Sequence, residues 1–385
     1  MVTSSGLDVC EGRRLPPRST PARSARLILL IGLGLLLSAG GVRVSAQEGN
    51  TYAVQELAPG VYAALRHVVA GPADCNVLII VNELDVVVVD ANFYPSSARA
   101  MVREIRRLTS NPVRYVINTH YHSDHVLGDE AYRQAFPGVE IIAHPLSRAL
   151  MIAEMMPNLP RNIAVDFPKE ISRIQERLDA GKGSNGEPLG AEERGELGIT
   201  QAAFGFWIKD MQSVHPVPAT LTVADSLVLH RGERTIVVRY LGLGNTPGDL
   251  VVYLPKERIV ATGDLVVHPI PFAYSSFPRE WPATLRALRG LGAVTIVPGH
   301  GGVQSDWVYV DRLIGLLEST WEQVRRAVAA GADLETTRKG VDGEALRVAF
   351  GAESAAMREA FEEQYLGPAI ESAFRELRPE APGQP

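Results

Sequence analysis

The runs 76–81 and 86–90, Asn-Val-Leu-Ile-Ile-Val and Val-Val-Val-Val-Asp, are apolar at nearly every position rather than at alternate ones. Runs this short and this rich in β-branched residues read as strands buried on both faces. A chain holding them must build a sheet with a covering layer on each side. A third strand at 61–67 precedes them, and a fourth at 113–118 follows. Between the last two, Ser96 or Ser97 caps a helix whose apolar stripe is Ala98, Met101, Val102, Ile105 and Leu108, the 3–4 spacing of a helix lying on a sheet.

A helix at 128–136 and a strand at 139–143 complete this half. Residues 146–213 differ in character, with Met151, Met155 and Met156, a charged helical stretch at 168–180 and a Gly/Glu loop at 181–198. They read as a helical insertion. Strands resume at 221, with 226–230, 235–241, 249–254 and 258–261 joined by hairpin signals at Arg231-Gly232-Glu233 and Pro255-Lys256-Glu257. A helix at 282–291 and a strand at 295–297 follow, then a helical extension over 305–378 and a disordered tail at 379–385. Two strand-rich halves with helices outside predict an αββα sandwich of two mixed sheets, class α/β, spanning 47–304.

The N-terminus predicts export. Arg13, Arg14, Arg18, Arg23 and Arg26 precede an apolar run at 27–37, and Val44-Ser45-Ala46 gives a small-x-small site before Gln47. That is the layout of a cleaved signal peptide over 1–46, and the run is well short of the ~20 residues a spanning helix needs. An uncleaved anchor is the alternative; with cleavage, no membrane association and a periplasmic or secreted location are expected. Cys75 is then the one cysteine left; it reads as a small buried side chain, so no internal disulfide supports the body. Residues 1–46 hold six of the 38 basic and two of the 44 acidic side chains, leaving a body of net −10. Such a body lacks the basic footprint of a nucleic-acid binder, and a small-molecule substrate is expected instead.

His120-Tyr121-His122-Ser123-Asp124-His125 places three imidazoles and a carboxylate at the end of the 113–118 strand. Imidazole with carboxylate suits zinc, and His120 and His122, two apart on extended backbone, aim into one pocket. Asp124 and His125, after the chain turns, serve a second ion beside it.

This motif resembles His-x-His-x-Asp-His, the signature of the metallo-β-lactamase fold superfamily, and the resemblance extends in ordered landmarks from about residue 61 to residue 300. Asp90 resembles the family's early aspartate, which steadies the metal loop from outside the ligand set. Gly263-Asp264 matches the bridging aspartate of the glyoxalase-like branch, and Pro298-Gly299-His300-Gly301 the late histidine motif. The resemblance implies His120 and His122 on a first metal, Asp124, His125 and His300 on a second, and Asp264 between. It implies hydroxide generated on zinc at neutral pH, with Asp124 holding the nucleophile. The chemistry implied is hydrolysis of a small ester, thioester, lactone or amide. β-Lactam hydrolysis is the alternative, and a non-catalytic metal- or partner-binding module is the alternative of another class.

One landmark departs. The family's middle histidine falls on Asn245, in Gly244-Asn245-Thr246-Pro247-Gly248-Asp249. An amide oxygen is a weaker zinc donor than imidazole, so Asn245 is at most a weak or outer ligand. Two zinc ions with a weakened first site, the second site alone, or a harder metal such as iron or manganese all follow from it. His268, Phe272 and Tyr274, with Phe277, are candidates for substrate contact after Asp264. His67 and His144 read as strand-end imidazoles, and the methionines at 151–156 as core filling or a lid.

Overall fold

The computed structural model describes residues 52–66, 74–183, 186 and 188–378. The signal segment, His67 and the 379–385 tail lie outside the described residues. One sheet runs in the order β1 (Tyr52–Ala58), β2 (Val61–Arg66), β3 (Val77–Val81), β4 (Val86–Val89), β5 (Val113–Ile117), β6 (Glu140–Ala143), β7 (Leu221–Thr222). Pairing is antiparallel from β1 to β4 and parallel from β4 to β7. The second sheet contains β8 (Ser226–Arg231), β9 (Arg234–Tyr240), β10 (Leu250–Leu254), β11 (Ile259–Val267) and β12 (Thr295–His300). It is antiparallel until β11 and β12, which run parallel.

The apolar runs do what their composition demands. In β3, Leu78 and Ile80 face the second sheet and pack with Val238, Leu250, Val252 and Ile259. Val77 and Ile79 face the opposite way, under α1 (Pro95–Leu108), where Ala98, Met101 and Ile105 cover them. The outer face of the second sheet is covered by the helices Trp281–Arg289 and Val308–Ala329, through Trp281, Leu285, Leu313 and Leu317. Each such side chain contributes ~1.5–3 kcal/mol on burial. The expected αββα sandwich is therefore the fold, with further helices continuing to Leu377.

Several local expectations are corrected. Residues 191–198 are not loop but the start of a helix, Ala191–Met211. Its Leu197 and Met211 join Leu159, Phe167 and Ile174 in a small core of the insertion, closed by Phe93, Tyr94 and Leu127. Tertiary packing overrides the glycines of that segment. The strand at 221 belongs to the edge of the first sheet, beside β6, not to the second half. β11 does not stop at 261: it runs to Val267, every residue buried, and carries Asp264 within it. β1 was not foreseen, because its polar residues alternate weakly.

Parallel pairing lines up the C-terminal ends of β4, β5 and β6 at one rim, and those of β11 and β12 at the same rim of the other sheet. Two backbone bonds tie the sheets there, Leu250 N–H to Thr119 O at 2.7 Å and Asn76 N–H to Gly299 O at 2.7 Å. Loops at the carboxyl ends of parallel strands are where an α/β sheet exposes functional groups.

Candidate metal centre

β4 ends in an abrupt turn. Asp90 and Asn92 have φ of 65° and 75°, the left-handed region that only Gly, Asn and Asp enter readily. The turn aims the buried Asp90 carboxylate across the rim. It accepts from the Thr119 backbone N–H at 2.8 Å and from the Thr119 hydroxyl at 3.0 Å, and meets His125 Nδ1 at 2.8 Å. His125 thereby turns Nε2 the other way. Thr119 Oγ1 also lies 3.0 Å from His120 Nδ1, which likewise leaves Nε2 outward. Asp90 thus holds Thr119 and His125 from behind.

The outward atoms converge. His125 Nε2 is 3.4 Å from Asp124 Oδ2 and 3.3 Å from Asp264 Oδ1. His300 Nε2 is 2.9 Å from Asp124 Oδ2 and 3.5 Å from Asp264 Oδ1. On the other side, His120 Nε2 is 3.7 Å from Asp264 Oδ2, and His122 completes that group. Asp264 therefore gives one oxygen to each group. Ligand atoms bound tetrahedrally at ~2.0–2.1 Å stand about 3.3–3.4 Å apart, so these separations suit a small cation in each group.

The donors fit such ions chemically as well. The buried Nε2 of His120 makes no hydrogen bond, and the Nε2 atoms of His125 and His300 meet only the carboxylates of the cluster itself. Buried polar atoms left so are costly unless something else satisfies them. Gly299 permits the approach, since a Cβ there would fall 2.0 Å from Asp264 Oδ1. Burial, then the neighbouring imidazoles, push His120 down in pKa; burial pushes His122 down. Both stay in the neutral form that ligates. Burial works against charge on His125 and His300, yet the surrounding carboxylates outweigh it and hold both up. Burial also raises Asp124, but His125 and His300 hold it well below the carboxylate range. A cation would take the place of the protons so held.

Asn245 is fully buried beside this rim, and neither its amide oxygen nor its nitrogen has a hydrogen-bond partner. Its loop is fixed by Asp249, which accepts from the Thr246 N–H and hydroxyl, both at 2.7 Å. The substrate-contact candidates separate. The Phe272 ring lies 5.2 Å from that of His300. The His268 ring packs on Tyr309 at 4.9 Å, and the Tyr274 hydroxyl donates to Glu363 O at 3.0 Å. His144 stacks on Tyr240 at 4.5 Å and accepts from the Leu146 N–H. Met151 is buried at the start of the insertion. Cys75 is buried behind His125, and burial pushes its thiol well up, so it is not poised as a nucleophile.

Two positions escaped the sequence reading, Thr119 and Asn76. Asn76 Nδ2 donates to Pro298 O at 3.0 Å and Gly301 O at 2.8 Å, bracketing His300. A polar residue opening an otherwise apolar buried strand was the available signal, because a buried amide must find partners.

The metallo-beta-lactamase superfamily model matches residues 70–300. The chain belongs to that superfamily, whose members are mostly metal-dependent hydrolases. It is 24% identical over 226 residues to a linear primary-alkylsulfatase of Pseudomonas sp. (strain ATCC 19151), covering 56% of this chain and 39% of that protein. A metallo-beta-lactamase from Pontibacter korlensis is 18% identical, with a TM-score of 0.47 over 69% of this chain and 99% of that one. The metallo-beta-lactamase FIM-1 from Pseudomonas aeruginosa, in its mono-zinc form, is 18% identical with a TM-score of 0.46, over 71% and 96%.

Proposed function

We propose that this chain is an exported hydrolase of a small ester, thioester, lactone or amide that works with zinc at the rim between the two sheets. The observation that carries the reading is the division of Asp264, with Oδ1 toward His125 and His300 and Oδ2 toward His120. One carboxylate serving two imidazole groups is an arrangement for two adjacent cations. His120 and His122 would hold one and Asp124, His125 and His300 the other; Asn245 would be a weak or outer contributor to the first.

Bound zinc supplies Lewis-acid activation of water and of the scissile group. The chain's own contribution is positional. Asp124 has 15% of its side chain exposed, against 1% for Asp264 and 3% for Asp90. It is thus the carboxylate best placed to accept a hydrogen bond from an incoming water and orient it. Phe272 sets an apolar ring against one side of His300. The acidic body and the 27–37 apolar run support a small-molecule substrate met outside the cytoplasm.

A second reading, hydrolysis of a sulfate ester, is favoured by the similarity to the alkylsulfatase. Metal content per chain, measured alongside hydrolysis of β-lactams, thioesters, lactones, phosphodiesters and alkyl sulfates, tests both. Turnover of an acyl substrate by zinc-loaded protein is expected. Turnover confined to alkyl sulfates establishes the second reading, and metal binding with no turnover at all makes the chain a non-catalytic module.

A further inference from the structure

The segment after Asp264 is gripped from the C-terminal helices. Tyr309, in the first turn of Val308–Ala329, is buried. Its hydroxyl donates to Val267 O and stands 3.1 Å from Pro269 O, the carbonyls on either side of His268. A phenol has one hydrogen, so the two carbonyls share it and are held together. The Tyr309 ring carries the His268 ring edge-on at 4.9 Å.

His268 passes the constraint on, because its backbone N–H donates to His300 O at 3.1 Å. The contact is close-fitting: Gly301 has φ +87°, and a Cβ there would lie 2.1 Å from His268 O. Phe272, three residues past Pro269, sets its ring 5.2 Å from His300. His300 is therefore held by main chain and ring from a segment that Tyr309 pins. Tyr309 lies beyond residue 300, where the superfamily match ends.

We propose that Tyr309 is a positioning residue for His300, so that the C-terminal helical part helps build the metal group of Asp124, His125 and His300 rather than only covering the sheet. The proposal rests on reading that group as a metal site.

The test is a Zn2+ titration of the full chain against a chromogenic chelator, on the parent and on Tyr309→Phe, which keeps the ring but loses the donor. Two bound zinc ions are expected in the parent. In the variant, the site lost on His300→Ala should weaken at least tenfold, the scale of changes around a metal ligand, while the other holds within twofold. Thr320→Val, which removes the 2.8 Å bond to Tyr365 from the same helix, should lower thermal stability and leave both affinities alone. Should Tyr309→Phe not fold, Phe272→Leu carries the test with the same one-site loss expected. Both sites unchanged, or both weakened in parallel, overturns the proposal. A parent that binds no zinc instead overturns the metal-site reading beneath it.

Discussion

Asn76 immediately precedes β3 of the first sheet and His300 ends β12 of the second, yet the Asn76 amide donates to the Pro298 and Gly301 carbonyls on both sides of His300, at 3.0 and 2.8 Å. The Asn76 backbone N–H adds a third bond, to Gly299 O at 2.7 Å, and its Oδ1 accepts from the Arg66 N–H at 3.0 Å. The loop that carries His300 is thus fastened to the opposite sheet. Asn76→Ala should leave buried carbonyls unpaired, lowering stability by about 1–3 kcal/mol and loosening zinc held through His300. Denaturant unfolding and a chelator titration on one preparation check both effects.

His122→Ala and Asp124→Ala should each abolish hydrolysis and leave the fold intact. Both side chains sit at the rim, partly accessible and outside the three main cores. The loss should exceed the ~10–100-fold that changes around a metal's ligands produce, with the circular dichroism spectrum unchanged. Near-normal turnover by either variant would show that the site is assigned wrongly.

Asn245→His should tighten the weaker zinc site by at least ~10-fold, because an imidazole would replace an amide that makes no hydrogen bond. Two equally tight sites in the parent protein would show that some other residue already completes the first group. Activity is not required to rise with affinity.

Glu376, on the helix Gly367–Leu377, is pushed up to about 8, first by burial and then by the Glu280 carboxylate beside it. A carboxyl whose folded pKa lies above its unfolded value favours folding most below the unfolded value. That advantage is lost as pH rises through the folded pKa. The parent's thermal midpoint should therefore decline between about pH 4.5 and 8 relative to Glu376→Gln, the variant being the more stable at pH 8. Parallel midpoint curves for the two proteins would refute the pairing.

The proposed export predicts a mature chain beginning at or near Gln47, after the small-residue site that ends at Ala46. Intact mass of protein recovered from the exported fraction decides it. A chain retaining 1–46 would indicate an anchor or cytoplasmic residence.

What the residues alone determined was whatever depends on neighbours in the chain. The both-face burial of β3 and β4 follows from their unbroken apolar runs, and α1 from its stripe. The grouping of His120, His122, Asp124 and His125 follows from six consecutive residues at a strand end. Asp90, Asp264 and His300 were legible only through resemblance to a family, since nothing local marks an isolated aspartate or histidine as part of a site. Tertiary structure alone decided which Asp264 oxygen serves which group, that Asn76 and Tyr309 hold the His300 loop, and that 191–198 is helix. Each depends on atoms far apart in the chain meeting at a sheet rim or in a packed cluster. Strand pairing and core burial set such meetings, and side-chain periodicity along the chain carries no record of them.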